Sequence, residues 1–323
     1  EVWDGMKAYL LVIFAGIIAT SLYNYFSCLL RALGNSTIPL VFLAVSAVLN
    51  IGLDLLFVAV LPWGIRGAAL ATVIAQYVSG IGITLYVLLK CRDLLPSGKD
   101  LHFNRQILDE IGNLSSITCI QQSVMNFGIL MVQGLVNSFG PVIMAAFAAA
   151  VKIDTFAYLP VQDFGNAYST FIAQNYGAGK KERIRKGTKE SFLISFLFCI
   201  VISAVVCIFA APLMRIFVSA KETAVIASGV RYLRIEGAFY CGIGCLFLLY
   251  GLYRAIGRPF MSVVLTVISL GTRVALAYLL SAVPFIGVVG IWASVPIGWL
   301  LADAVGYEVY RRRCPLPQES QTA

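Results

Sequence analysis

Apolar residues fill the chain in nine long stretches, each cut from the next by Gly, Pro or charge. The cuts predict helices near 6–31, 38–60, 66–90, 111–137, 141–174, 187–214, 223–254, 259–281 and 287–310. An α-helix crosses the hydrocarbon core in about 20 residues, so all nine are long enough to span it. Those above thirty residues must tilt, bend or project, and Pro160 predicts a bend in the fifth. A transmembrane β-barrel would show short segments of alternating polarity instead. The pattern is that of an all-α integral membrane protein, a polytopic helix bundle.

Composition removes the alternatives. Of 323 residues, 59% are hydrophobic and only 12% charged, about half the charged share of a soluble domain. The eight Cys form no CxxC pair and the one His is His102, so no Cys/His metal cage can be assembled and the thiols read as small apolar helix residues. Neither an HExxH motif, a nucleophile elbow nor a GxxxxGK[ST] loop is present, which argues against an enzyme. The net charge of +8 has a topological reading: sixteen Lys and Arg fall in loops on one side of the bundle, among them Lys180, Lys181, Arg183, Arg185, Lys186 and Lys189, and six on the other. By the positive-inside rule the sixteen mark the cytoplasm, which puts Glu1 outside and the C-terminal tail inside, and nucleic acid is not an expected partner.

An internal repeat is the most informative feature. Arg31-Ala32-Leu33-Gly34 matches Arg254-Ala255-Ile256-Gly257 at an offset of 223, and the same offset pairs Tyr9-Leu10 with Tyr232-Leu233, Ser46 with Ser269, Gly64 with Gly287 and Gly67 with Gly290. Both Arg-Ala-Leu/Ile-Gly segments lie on the cytoplasmic side, so the repeat is parallel, about an axis along the membrane normal. Such duplicated bundles are a transporter architecture. The expected organisation is 1–92 as the second half of a first lobe, 93–107 as a cytoplasmic linker, 108–313 as a six-helix second lobe and 314–323 as a cytoplasmic tail. A complete first lobe would need about 115 further residues before Glu1, room for roughly three helices.

These segments resemble the multidrug and toxic compound extrusion (MATE) family. The likeness is carried by Arg31-Ala32-Leu33-Gly34-Asn35-Ser36-Thr37-Ile38-Pro39, Asn50-Ile51-Gly52-Leu53-Asp54, Gly67-Ala68-Ala69-Leu70-Ala71-Thr72 and Gln174-Asn175-Tyr176-Gly177-Ala178-Gly179-Lys180. Tyr232-Leu233-Arg234-Ile235-Glu236-Gly237 and Arg254-Ala255-Ile256-Gly257-Arg258-Pro259 complete it, as spans four to twelve of a twelve-helix, six-plus-six pattern. The resemblance implies two lobes around a central cavity and export of organic cations or other amphipathic compounds in exchange for Na⁺ or H⁺. It implies no other cofactor, a multi-pass location in the cell membrane (the cytoplasmic membrane if the source is bacterial), lipid and small-molecule partners, and a monomer. A lipid-linked oligosaccharide flippase of a related family is the alternative, and it predicts a cationic cavity.

An ionisable side chain inside the bilayer costs at least ~2.5 kcal/mol and so needs a partner or a function. Asn50 and Asp54 are four apart on one helical face, and Thr72 on the next helix adds a hydroxyl; these oxygens suit a hard cation, and the carboxylate alone suits a proton. In the family the matching residues form part of a cation site with an Asp on a first helix that this sequence does not include. Lys152, about 16 Å along its helix at 1.5 Å per residue, and Asp154 lie near the midplane but point in different directions. With Asp163 they are candidates for cavity lining or the transport switch. Glu236 and Arg273 reach similar depth on adjacent helices and are expected to pair. Gln122, beside Gln121, stands near where one subgroup of the family carries an acid. Asp303 reads as interfacial, and Tyr23, Tyr25, Phe26, Phe147 and Phe156 as candidate stacking surfaces for a planar drug.

Overall fold

The computed structural model describes residues 2–92 and 103–313, and among these the regular structure is helical. Most of the linker expected over 93–107 and all of the tail expected over 314–323 lie outside the described residues. The chain divides into two compact units, 1–104 and 105–323.

In the first unit, α1 (Val2–Ala15) and α2 (Ile17–Ala32) form one broken span. It is followed by α3 (Thr37–Asp54), a π-helical turn over Leu55–Val60, and α4 (Gly64–Lys90). The small residues Gly67, Ala69, Ala71 and Ala75 let α4 pack closely against α1, α2 and α3. In the second unit, α5 (Arg105–Asn137), α6 (Pro141–Gly177) and α7 (Lys181–Ile208) are followed by the short α8 (Ala210–Phe217). Then come α9 (Thr223–Gly237), α10 (Tyr240–Ala255), α11 (Pro259–Ser281) and α12 (Val288–Arg313). Helix α10 is the centre of this unit, packed on α6, α7, α11 and α12. Among the described residues eight helices are long and apolar enough to cross a membrane, and α9 with α10, bent by 51°, makes a ninth span.

The predicted span at 223–254 is therefore two helices, and the one at 187–214 ends at Ile208 before a separate α8. Helix α6 continues through Pro160 to Gly177. A proline ring removes one backbone donor, and neighbouring turns absorb that loss in a packed membrane helix.

The 223-residue repeat holds in three dimensions. Gly34 and Gly257, at φ 87° and 73°, end α2 and α10 in the same way. The Asn35 N–H donates to Leu30 O at 2.9 Å and the Arg258 N–H to Tyr253 O at 2.8 Å, each the six-to-one bond of a Schellman cap. Gly67 lies against Phe57 and Trp63 while Gly290 lies against Leu280 and Ile286, and all three pairs keep the offset. Both broken spans break at the matching place: the Gly16 N–H donates to Ile13 O at 2.9 Å and the Phe239 N–H to Glu236 O at 3.0 Å. The π-helical turn after Asp54 has no counterpart in the second copy, where α11 stays α-helical to Ser281.

Close approach also carries a testable cost. Ser46 Oγ donates to Ala75 O at 2.8 Å, and at the equivalent crossing a Cβ on Gly298 would stand 2.4 Å from Ser269 O. Gly298→Ala should thus destabilise the second unit by about 1–3 kcal/mol through overpacking. Gly271→Ala, where no atom lies within 4 Å, should be neutral or slightly stabilising. Thermal unfolding of the two variants in one detergent, at one scan rate, separates them.

Candidate functional site

In the first unit α3 and α4 bring two of the three predicted cation ligands into contact. Asn50 Nδ2 donates to Thr72 Oγ1 at 3.5 Å, and the Thr72 hydroxyl donates to Ala68 O at 3.0 Å. These bonds leave the Asn50 amide oxygen and a Thr72 lone pair as acceptors. Asp54, one turn beyond Asn50, ends α3 where the backbone passes into the π-helical turn. Its Oδ1 is buried and has no hydrogen-bond partner. A buried carboxylate oxygen without a donor is costly in a bilayer, and a bound proton or hard cation removes that cost. The donor set of amide, carboxylate and hydroxyl oxygens fits such a cation. Widened turns of the π type are frequent at functional sites.

The second unit holds a larger buried cluster, in which only some members were predicted. Asp154, 4% exposed on α6, accepts a hydrogen bond from Tyr232 Oη on α9 at 2.6 Å through Oδ2. Its Oδ1 accepts from Tyr240 Oη on α10. One carboxylate thus joins the two halves of the span bent by 51°. Glu236, 5% exposed, stands one turn after Tyr232, and Arg273 on α11 acts on both acids through its charge. The Glu236–Arg273 pairing expected from matched depth is not a direct one. Their groups do not meet within the 4.0 Å of an ion pair, and Glu236 Oε2 and Arg273 Nε are both buried without a partner. The charge that acts most strongly on Glu236 is that of a second acid, Asp154. An aromatic wall closes the cluster: Trp292 lies 4.9 Å from Tyr232 and 5.5 Å from Phe147 between ring centroids.

Tyr232, Tyr240 and Trp292 were missed because aromatic side chains on apolar helices read as packing. The available signal was the coincidence of Tyr232 with the acid four residues on. Phe147, read as a drug surface, is buried in this wall, and the Tyr23 hydroxyl is engaged with Pro39 O at 2.9 Å.

The remaining candidates line exposed helix faces. On α6 the exposed Lys152, Phe156, Asp163 and Asn166 recur at helical spacing, and on α5 Gln122, Ser123 and Asn126 do the same. Polar stripes on spanning helices face a bundle interior or a water-filled cavity, because lipid cannot solvate them. Lys152 stands in a cleft of about 570 Å³ walled by α6, Phe217 and Glu222, its Nζ 6.0 Å from the Phe217 ring centroid. Gln121 is structural, donating to Thr266 Oγ1 at 3.2 Å in the core. Asp303 packs beside Gly242 on α10 with Oδ1 buried and unpartnered. Among the described residues no group of three or more His, Cys, Asp or Glu could hold a metal ion.

Helical spans, a duplicated unit and oxygen-bearing side chains in the bilayer define a multi-pass membrane transporter class. The family model MatE matches residues 117–279. The probable multidrug resistance protein YpnP of Bacillus subtilis is 30% identical over 306 residues, 94% of this chain and 67% of that protein. The probable multidrug resistance protein NorM of Thermotoga maritima is 27% identical over 91% of this chain and 64% of its own length. A protein named FAD transporter from Shewanella oneidensis is 25% identical over 91% and 65%. The chain thus spans about two thirds of the length of these relatives. The outward-facing structure of a multidrug resistance MATE family transporter shares the fold with a TM-score of 0.89 at 23% identity, over 95% of this chain and 68% of the other. A transporter from Pyrococcus furiosus shares it with a TM-score of 0.87 at 24% identity, over 95% and 69%. The chain belongs to the MATE family.

Proposed function

We propose that the protein is a secondary active transporter, not an enzyme, which exports organic-cation or amphipathic compounds in exchange for Na⁺ or H⁺ across the cell membrane, with its C-terminus in the cytoplasm. The observation that carries the coupling reading is the Asn50–Asp54–Thr72 set, with a buried Asp54 oxygen that has no donor. Coupling requires only that cation and substrate prefer different states of the transporter, so that occupancy of one biases release of the other. Asp54 is placed for this, because the α3 helix changes pitch directly after it and ligand binding at such a junction can act on backbone geometry as well as on charge. The exposed polar faces of α5 and α6 provide the surface along which a partly charged substrate would move, and Phe156 offers it an uncommitted ring.

The flippase alternative requires a cationic site for pyrophosphate. Of the basic residues the sequence offered for it, Arg273 lies beside two acids and Lys152 shares its cleft with Glu222, which disfavours a pyrophosphate site there. The working unit is a monomer without a resident cofactor.

Expression from the native gene in a drug-sensitive host should lower the steady-state accumulation of ethidium severalfold. Collapsing the ion gradients with ionophores should restore accumulation. Unchanged accumulation at confirmed membrane yield would reject the export reading for planar cations.

A further inference from the structure

A cleft of about 570 Å³ opens between the first turns of α6, the end of α8 and the segment that joins α8 to α9. Its α6 wall is built from small residues, Ala145, Ala148 and Ala149, which recur at helical spacing toward Lys152 and leave the space unfilled. Phe217, at the end of α8, supplies an aromatic wall, and Ser219 and Glu222 bring a hydroxyl and a carboxylate to the lining.

Lys152 and Glu222 are the charged side chains that line this cleft, and they do not neutralise each other. Neither forms an ion pair within 4.0 Å with any described residue. Lys152 Nζ lies 6.0 Å from the Phe217 ring centroid, the outer limit of a cation–π contact. Such a contact offsets little of the cost of an ammonium group about 16 Å along a spanning helix. An ammonium with three donors and no carboxylate in reach is matched by an anionic oxygen.

The surroundings restrict that anion. The alanines and Phe217 favour an apolar, planar body, from which a bare inorganic anion gains nothing. Glu222 in the same cleft repels a second negative charge, so a single charge is accepted and a phosphate monoester or pyrophosphate is disfavoured. We propose that this cleft is a binding site for amphipathic monocarboxylates, with the carboxylate held by Lys152 and the apolar body against Phe217 and the α6 alanines. As a statement about exported substrates this rests on the transport reading, whereas binding to the cleft does not.

Fluorescence anisotropy of dansylglycine, a planar ring system with one carboxylate, titrated with the purified protein in detergent, tests it. Dansylglycine should bind, and its uncharged methyl ester should bind about tenfold more weakly, the loss expected for one charge-assisted contact. Lys152→Met, at an exposed helix position, should weaken dansylglycine by the same factor and leave the ester unchanged, and Lys152→Arg should restore binding. Dansylaspartate, with a second carboxylate, should bind more weakly than dansylglycine, and Glu222→Gln should narrow that gap. Equal binding of acid and ester to the wild type, a comparison that needs no variant, or unchanged acid binding in Lys152→Met would overturn the site. Displacement of dansylglycine by an equal concentration of dioctanoyl phosphatidylglycerol would give the cleft to a lipid headgroup and overturn the small-molecule assignment. Absence of ethidium export together with binding that Lys152→Met weakens would reject the export reading and uphold this site.

Discussion

Asp54→Asn, expressed from the native gene, should abolish gradient-driven efflux while leaving membrane yield and thermal stability within error of the wild type. The substitution keeps size and hydrogen-bonding capacity but removes the ionisable group. Asp54 is half-buried with one oxygen buried and unpartnered, so Asn in its place removes a charge without losing a contact of that oxygen. Downhill movement of substrate should persist, because the change acts on coupling rather than on the polar faces of α5 and α6. Asn50→Ala and Thr72→Val should produce intermediate losses, since each deletes one acceptor and spares the carboxylate. Undiminished uphill efflux in Asp54→Asn at matched expression refutes the coupling role.

The second large effect is on stability. Asp154→Ala should destabilise the second unit by about 3–5 kcal/mol, the range for breaking a buried charged network by removing one member. Two tyrosine hydroxyls lose their acceptor at once and are left as buried donors. The methyl side chain also opens space beside the buried Tyr232. Asp154→Asn, which retains shape and one acceptor oxygen, should lose less than half as much. Unfolding is commonly irreversible for membrane proteins, so the comparison is one of midpoints in a single lipid or detergent at one scan rate. Equal midpoints for Asp154→Ala and wild type would mean that the cluster does not join the two helices.

Much of the architecture was legible because lipid imposes it. A span must satisfy its own backbone and be about 20 residues long, so the apolar windows reported the helices directly. The repeat was legible for a related reason: glycine at φ above +70° or against a neighbouring helix cannot drift, so Gly34 and Gly257 keep their places in both copies, as do Gly67 and Gly290. The breaks at Gly16 and near Phe239 were not legible, because no proline marks either and the change is one of backbone hydrogen bonds. The π-helical turn was hidden likewise, since Leu55–Val60 is as apolar as any α-helical segment.

The candidate site divides in the same way. Buried charge is conspicuous in a sequence with so little of it, so Asp54, Asp154, Glu236 and Arg273 were found. Their partners were not. Matched depth suggested Arg273 for Glu236, but depth fixes one coordinate of three, and the two do not form an ion pair. Tyr232 and Tyr240 carry the hydrogen bonds to Asp154, and in a chain with fifteen tyrosines the acid four residues after Tyr232 was the one signal that set either apart. Lys152 and Asp154, two residues apart, did part as helical geometry requires, the lysine to an exposed face and the acid to the core.

The central claim is that movement of an amphipathic compound is driven by opposite movement of a cation. Reconstitution of the purified protein in liposomes loaded with ethidium, under an imposed Na⁺ gradient or an imposed pH gradient, measures both fluxes at once. The account predicts accelerated dye movement under one of the two gradients, a matching cation flux in the opposite direction, and loss of both in Asp54→Asn. Dye movement at one rate with and without either gradient, or a cation flux that ignores the presence of dye, would contradict it.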